Sequence, residues 1–75
     1  MQVVIYSRVL KETDITYIQQ LFDVLQKEQI TTYIYTPYLE QLRKRIPLKQ
    51  EYIPFNGYSD FKQYKINMVI TLGGD

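Results

Sequence analysis

The residues best suited to chemistry are two glycines and an aspartate, Gly73, Gly74 and Asp75. They follow residues 68–72, an apolar run typical of a strand buried inside a sheet. Two glycines let the backbone adopt positive φ and bring its N–H groups close to a bulky anion such as a phosphate. A carboxylate beside them could accept a proton, orient a hydroxyl or hold Mg²⁺. The alternative is an ordinary strand exit in which Asp75 caps a following helix.

Two other segments, Ser7-Arg8 and Thr36-Pro37, also directly follow runs of strand-forming residues. In an open parallel sheet, ligands bind beyond the carboxyl ends of the strands. Arg8 could reach a phosphate at that edge, because a guanidinium matches phosphate oxygens, and an ordinary loop start is the alternative. Thr36-Pro37 favours a helix start, with the hydroxyl as cap and the proline in the first turn.

The composition excludes several kinds of site and partner. The 75 residues contain no His and no Cys, so Ser-His-Asp, Cys-His and thiolate-metal chemistry are impossible within them. We therefore expect no tight transition-metal site, and Mg²⁺ binding only together with a nucleotide, through phosphate oxygens and Asp75. The net charge of +1 gives no broad basic field for a nucleic acid or an anionic membrane. No apolar run approaches the ~20 residues of a membrane span and no signal peptide is visible, so we expect a cytoplasmic protein.

Tyrosine is the one residue type in clear excess. Eight Tyr and three Phe make up an aromatic share of 15%. A tyrosine-rich surface could be an interface, because tyrosine supplies contact area with little loss of entropy. The alternative is that tyrosine takes the place of Phe and Leu on half-buried strands.

The first half of the sequence predicts a strand, a helix and a strand. Residues 2–6 and 30–35 are rich in β-branched and aromatic residues, which favour strands. Between them, the Thr13-Asp14 pair offers a helix cap and Gln29 closes the helix. The apolar residues of this segment fall on one helical stripe, namely Ile15, Ile18, Leu21, Phe22 and Leu25. Such a unit is long enough for one crossover between parallel strands.

The second half predicts a shorter helix and two more strands. Residues 36–46 have the helical pattern, with a basic last turn, and Pro47 stops it. Residues 51–55 form at best a short edge strand because of Pro54. Residues 68–72 complete the order β-α-β-α-β-β, which predicts an α/β fold with an open Rossmann-like parallel sheet.

The sequence resembles the N-terminal part of the bacterial NAD kinases, which phosphorylate NAD to NADP. The segments that carry the resemblance are MQVVIYSR, ITYIQQLFDVLQKEQI, TYIYTP and, most specifically, INMVITLGGD. The hallmark of that family is Gly-Gly-Asp-Gly-Thr directly after a strand, and Gly73, Gly74 and Asp75 match its first three residues. Diacylglycerol and sphingosine kinases share this hallmark, and phosphofructokinases have a variant of it. A lipid kinase of the same superfamily therefore stays open, as does a non-catalytic Rossmann-like binding or interaction module.

The resemblance implies transfer of a phosphoryl group from ATP or polyphosphate to NAD, with Mg²⁺ or another divalent cation. Asp75 matches the general base toward the 2′-hydroxyl of the adenosine ribose of NAD. Gly73 and Gly74 match the glycines of the phosphate-binding loop. Residues 1–75 are then expected to be the N-terminal nucleotide-binding segment of a larger, two-domain kinase, truncated before its all-β C-terminal domain and inactive alone. The family further implies a homodimer or homotetramer.

Overall fold

Strands and helices alternate along the chain in the order that the sequence predicts. The computed structural model describes residues 1–48, 50–57, 59 and 65–72. Within these residues the elements are β1 (Gln2–Tyr6), α1 (Ile15–Lys27), β2 (Thr31–Tyr35), α2 (Thr36–Arg45), β3 (Ile53–Phe55) and β4 (Met68–Thr71). A short 3₁₀ turn, Glu12–Asp14, leads directly into α1. The prediction of an α/β fold is confirmed.

The four described strands form one parallel sheet in the order β3-β2-β1-β4. β1 lies at the centre, where Ile5 is in register with Ile34 of β2 on one side and Ile70 of β4 on the other. Because all pairs are parallel, the carboxyl ends of the four strands meet at one edge of the sheet. β4 follows β3 in the sequence but lies at the opposite end of the sheet, beside β1.

Both helices pack against one face of the sheet. Their apolar residues form a single buried cluster with Val3, Ile5 and Ile34 of the strands. The helical stripe predicted for α1 is confirmed, since three of its residues are buried and two partly buried, namely Ile18, Phe22 and Leu25, and Ile15 and Leu21. Hydrophobic burial of this stripe is what holds a helix of this length on the sheet. Neither α1 nor any other described helix is long and apolar enough to cross a membrane.

The helix ends differ from the predicted caps. Asp14 precedes α1 but has helical backbone angles, and its side chain makes no capping hydrogen bond, because the 3₁₀ turn continues straight into the helix. Thr36 is the first residue of α2 instead of its cap, and its hydroxyl donates to the Phe55 carbonyl at 3.0 Å. Gln29 does close α1, in a left-handed conformation with φ 55°. The two predictions of side-chain caps are therefore wrong.

The second face of the sheet carries a row of aromatic side chains. Tyr6, Tyr35 and Phe55 come from three adjacent strands, with ring centroids 4.7 Å apart for Tyr6 and Tyr35 and 5.7 Å for Tyr35 and Phe55. Tyr33 is buried on the same face with Val4. Among the described tyrosines most are buried or half-buried, which favours a role in the core over a tyrosine-rich interface.

Candidate functional site

The candidate site lies at the carboxyl edge of the sheet, between β1 and β4. The chain leaves β1 toward β2 over the face that carries α1 and α2. Ile66, in the connection that leads to β4, packs instead with Val4, Tyr33 and Phe55 on the opposite face. Strands β2 and β3 lie on one side of β1 and β4 lies on its other side, so the direction in which successive strands are added reverses between β1 and β4. In open α/β sheets the crevice at such a reversal is where ligands bind.

Ser7 joins the ends of these two strands. It is 4% exposed, and its Oγ donates a hydrogen bond to the Leu72 carbonyl oxygen at 2.7 Å. Leu72 is the residue before Gly73 in the sequence. The structure therefore brings Ser7 into contact with the residue that precedes the glycine motif. Gly73, Gly74 and Asp75 themselves lie outside the described residues.

The third predicted strand end is not part of this crevice. Thr36-Pro37 follows β2, which is separated from β4 by the whole of β1. The Thr36 hydroxyl is used to tie the start of α2 to the end of β3. This segment supports the edge of the sheet on the side away from β4.

The loop between β1 and α1 is fastened to α2 by Gln41. The Gln41 Nε2 donates to the Arg8 carbonyl at 2.8 Å, and its Oε1 accepts from the Leu10 amide at 2.9 Å. The same side-chain nitrogen also donates to the Pro37 carbonyl at 3.2 Å. A side chain that bonds backbone at both ends holds the loop more specifically than apolar contact does. Nothing in the sequence pattern singles out Gln41 for this role.

An ion pair makes a second connection between the loop and α2. The Arg45 Nη2 lies 2.5 and 2.6 Å from the two carboxylate oxygens of Glu12. The hydrogen bond and charge of Arg45 lower the pKa of the Glu12 carboxyl. Both side chains are exposed, so the pair adds little stability. The pair connects the loop to the basic last turn of α2, to which Arg45 belongs.

Arg8 belongs to this fastened loop and directly follows Ser7. Its Nε donates to the Tyr6 hydroxyl at 3.2 Å, and the Tyr6 ring packs on Tyr35. Arg8 is exposed, whereas the preceding Ser7 is buried. The described part of the site therefore offers a buried hydroxyl, a guanidinium and an aromatic row at one edge of the sheet.

The described residues do not supply a metal site of their own. Within them, no group of three or more Asp, Glu, His or Cys side chains converges. A divalent cation at this edge would have to rely on the oxygens of a bound phosphate and on Asp75, which is not among the described residues.

A shallow groove of about 230 Å³ lies beside α1. It runs between α1 and the segment before β3, where Phe22 and Tyr52 stack with ring centroids 4.8 Å apart. Its rim is polar, from Gln19, Asp23 and Gln26. The groove is lined by no residue of the carboxyl edge, so it is separate from the candidate site.

Because of its buried Tyr38 hydroxyl, we expect the protein to lose stability in alkali. This hydroxyl is fully buried and has no hydrogen-bond partner among the described residues, as is also true of Asp14 Oδ2. Burial, and secondly the Asp14 carboxylate, raise the pKa of Tyr38 from 10.0 to about 12. Below pH 10 the phenol is protonated in both states, so stability is unaffected. Between pH 10 and 12 the unfolded chain loses this proton first, which removes on the order of 2–3 kcal/mol of stability.

Urea unfolding from pH 9 to 12 measures this effect. We expect Tyr38→Phe to flatten the pH dependence relative to the wild type. The matched control is Tyr17→Phe, because Tyr17 is 53% exposed and should leave the profile unchanged. Identical profiles for the wild type and Tyr38→Phe would contradict the prediction.

The comparisons with known proteins give no relative for this chain. No family model, curated protein or solved structure matches it at a significant level. The resemblance to NAD kinases therefore rests on the four sequence segments that carry it, most specifically INMVITLGGD, and it stays a prediction.

Proposed function

We propose that this chain is the N-terminal α/β segment of an NAD kinase. The whole protein would transfer a phosphoryl group from ATP or polyphosphate to the 2′-hydroxyl of the adenosine ribose of NAD. The observation that carries the proposal is the hydrogen bond from Ser7 to the Leu72 carbonyl. It supports the proposal because Leu72, the residue before Gly73 in the sequence, lies beside the end of β1, at the edge where an open α/β sheet binds nucleotides.

The strand order supports a nucleotide-binding role. Sheets of the doubly wound, Rossmann-like type commonly have the order 3-2-1-4, with the binding crevice beside the first strand. The described order β3-β2-β1-β4 agrees with that arrangement. The proposal extends it to a larger sheet in a two-domain kinase that forms a homo-oligomer.

Each residue of the motif has a specific role in the proposed reaction. Gly73 and Gly74 let backbone N–H groups approach the phosphates, since a side chain would block that approach. Asp75 accepts the proton of the ribose 2′-hydroxyl while the hydroxyl oxygen bonds to the terminal phosphorus of the donor. The bond from that phosphorus to the bridging oxygen breaks, and ADP or the shortened polyphosphate leaves. A divalent cation, when bound with ATP, would neutralise phosphate charge.

An acceptor panel tests the proposal. The full-length protein is incubated with ATP or polyphosphate and with NAD, NADH or diacylglycerol, and phosphorylated products are measured. We expect NADP from NAD and no phosphorylated lipid. Phosphorylation of diacylglycerol alone would indicate a lipid kinase, and no transfer to any acceptor would indicate a binding or interaction module. Either result overturns the proposal.

A further inference from the structure

We propose that one buried water molecule binds between the Tyr38 hydroxyl and the Asp14 carboxylate, and that it fastens the loop between β1 and α1 to α2. This loop follows Ser7 at the carboxyl edge of the sheet, so the water site supports the backbone beside the candidate site. The inference does not depend on the proposed function, and its tests require no catalysis.

Two side-chain oxygens in the interior lack a partner. Tyr38 is fully buried, and neither its hydroxyl nor Asp14 Oδ2 has a hydrogen-bond partner among the described residues. Buried polar atoms of folded proteins nearly always bond to protein or to ordered water, because the hydrogen bonds lost to bulk water must be replaced. The two oxygens therefore indicate a bound molecule that completes their hydrogen bonds.

The loop and α2 face each other along one stripe of the helix. Tyr38, Gln41 and Arg45 are spaced by three and four residues, so they lie on the same side of α2. Gln41 accepts from the Leu10 amide at 2.9 Å, and Arg45 donates to the Glu12 carboxylate at 2.6 Å. The side of α2 that carries Tyr38 is therefore the side that contacts the loop.

Asp14 follows Leu10 and Glu12 along the loop and lies near Tyr38. It is the last residue of the 3₁₀ turn that begins at Glu12. Its carboxylate contributes to the raised pKa of Tyr38, so the two groups are close enough to interact. They make no direct hydrogen bond to each other. A bridging molecule is what would pair both oxygens at once.

The chemistry of the two groups selects water as this molecule. A carboxylate only accepts hydrogen bonds, whereas a phenol can donate one. The bridging molecule must therefore accept from Tyr38, donate to Asp14 and be small enough for the interior. Water meets all three requirements, and internal waters typically bond polar groups that lack a protein partner. A water bridge is nearly as favourable as a direct hydrogen bond.

A double-mutant cycle in the full-length protein tests the link. At pH 7, Tyr38→Phe and Asp14→Ala should each raise the unfolding equilibrium constant about 3–10-fold, because each removes one hydrogen bond of the water. The double variant should raise it no more than the larger single effect, since either substitution alone breaks the link. Urea unfolding of the four proteins measures these constants.

Thr13→Ala is the matched control, because Thr13 is an exposed residue of the same turn. Its effect should multiply with that of Tyr38→Phe, as for independent sites. A Tyr38→Phe protein as stable as the wild type overturns the proposal, because an unpaired phenol loses no bond when its oxygen is removed. Effects of Tyr38→Phe and Asp14→Ala that multiply to about 10–100-fold overturn it as well.

Two further measurements separate the water from its fastening role. A crystal structure of the full-length protein should contain a water within about 3.2 Å of both oxygens. Its absence, or a direct hydrogen bond between the two side chains, overturns the water site. In amide exchange, Tyr38→Phe should speed exchange at Leu10 about 3–10-fold and leave Glu28, whose amide bonds the Val24 carbonyl, unchanged. Equal rates at Leu10 in both proteins overturn the fastening role.

Discussion

Asp75→Asn in the full-length protein is expected to lower the turnover of NADP formation about 10²–10⁴-fold, as is typical when a general base is lost. Asparagine keeps the size of aspartate and most of its hydrogen bonding but cannot take the ribose proton. NAD should still bind through the glycine loop, so the loss should appear in kcat more than in KM. Steady-state kinetics with NAD and ATP measure both constants.

The alternative role of Asp75, a helix cap, makes a very different forecast. Asparagine caps a helix almost as well as aspartate, so the substitution would then cost little activity or stability. Asp23→Asn is a suitable control, because Asp23 lies on α1 at the separate groove. If Asp75→Asn retains more than about a tenth of wild-type turnover, Asp75 is not the general base.

Ile5→Ala is expected to destabilise the protein by about 2–5 kcal/mol, because it leaves a cavity in a packed core. Ile5 is fully buried on the central strand and is in register with Ile34 and Ile70 on both sides. A loss of this size is a large part of the free energy of unfolding, which is roughly 5–15 kcal/mol in ordinary proteins. It should also disturb the candidate site, since Ser7 follows closely on the same strand end.

Urea unfolding measures the change in free energy, with two comparison variants. Ile5→Val removes one methyl group and should cost about 0.5–1.5 kcal/mol. Val24→Ala removes an apolar side chain that is 54% exposed on α1 and should change stability by less than about 0.5 kcal/mol. Equal effects of Ile5→Ala and Val24→Ala would show that β1 is not the centre of the core.

Local patterns were sufficient to predict the helices and strands. The stripe from Ile15 to Leu25 indicates burial through its helical periodicity, and the runs of β1 and β2 indicate strands through their β-branched and aromatic residues. The order of the strands could not be read in the same way, because it depends on contacts between distant parts of the chain. That β4 lies beside β1 follows only from the structure.

The contacts of the candidate site show the same limit. Ser7 and Leu72 are 65 residues apart, and Gln41 is 33 residues from Arg8. A hydroxyl or an amide side chain has no sequence signature that reveals such a partner. The predicted cap at Thr36 was wrong for the same reason, since the distant Phe55 carbonyl takes its hydrogen bond. The glycine motif differs because its residues are adjacent in the chain, so the sequence alone reveals it.

The position of the bound nucleotide tests the central claim most directly. Amide chemical shifts of the ¹⁵N-labelled full-length protein, recorded with NAD and with ATP, locate the ligands on the sheet. We expect the largest changes at Ser7, Arg8 and Leu72, at the carboxyl ends of β1 and β4, and none at Gln26 or Tyr52 in the separate groove. Changes confined to that groove, with Ser7 and Leu72 unaffected, would contradict the account.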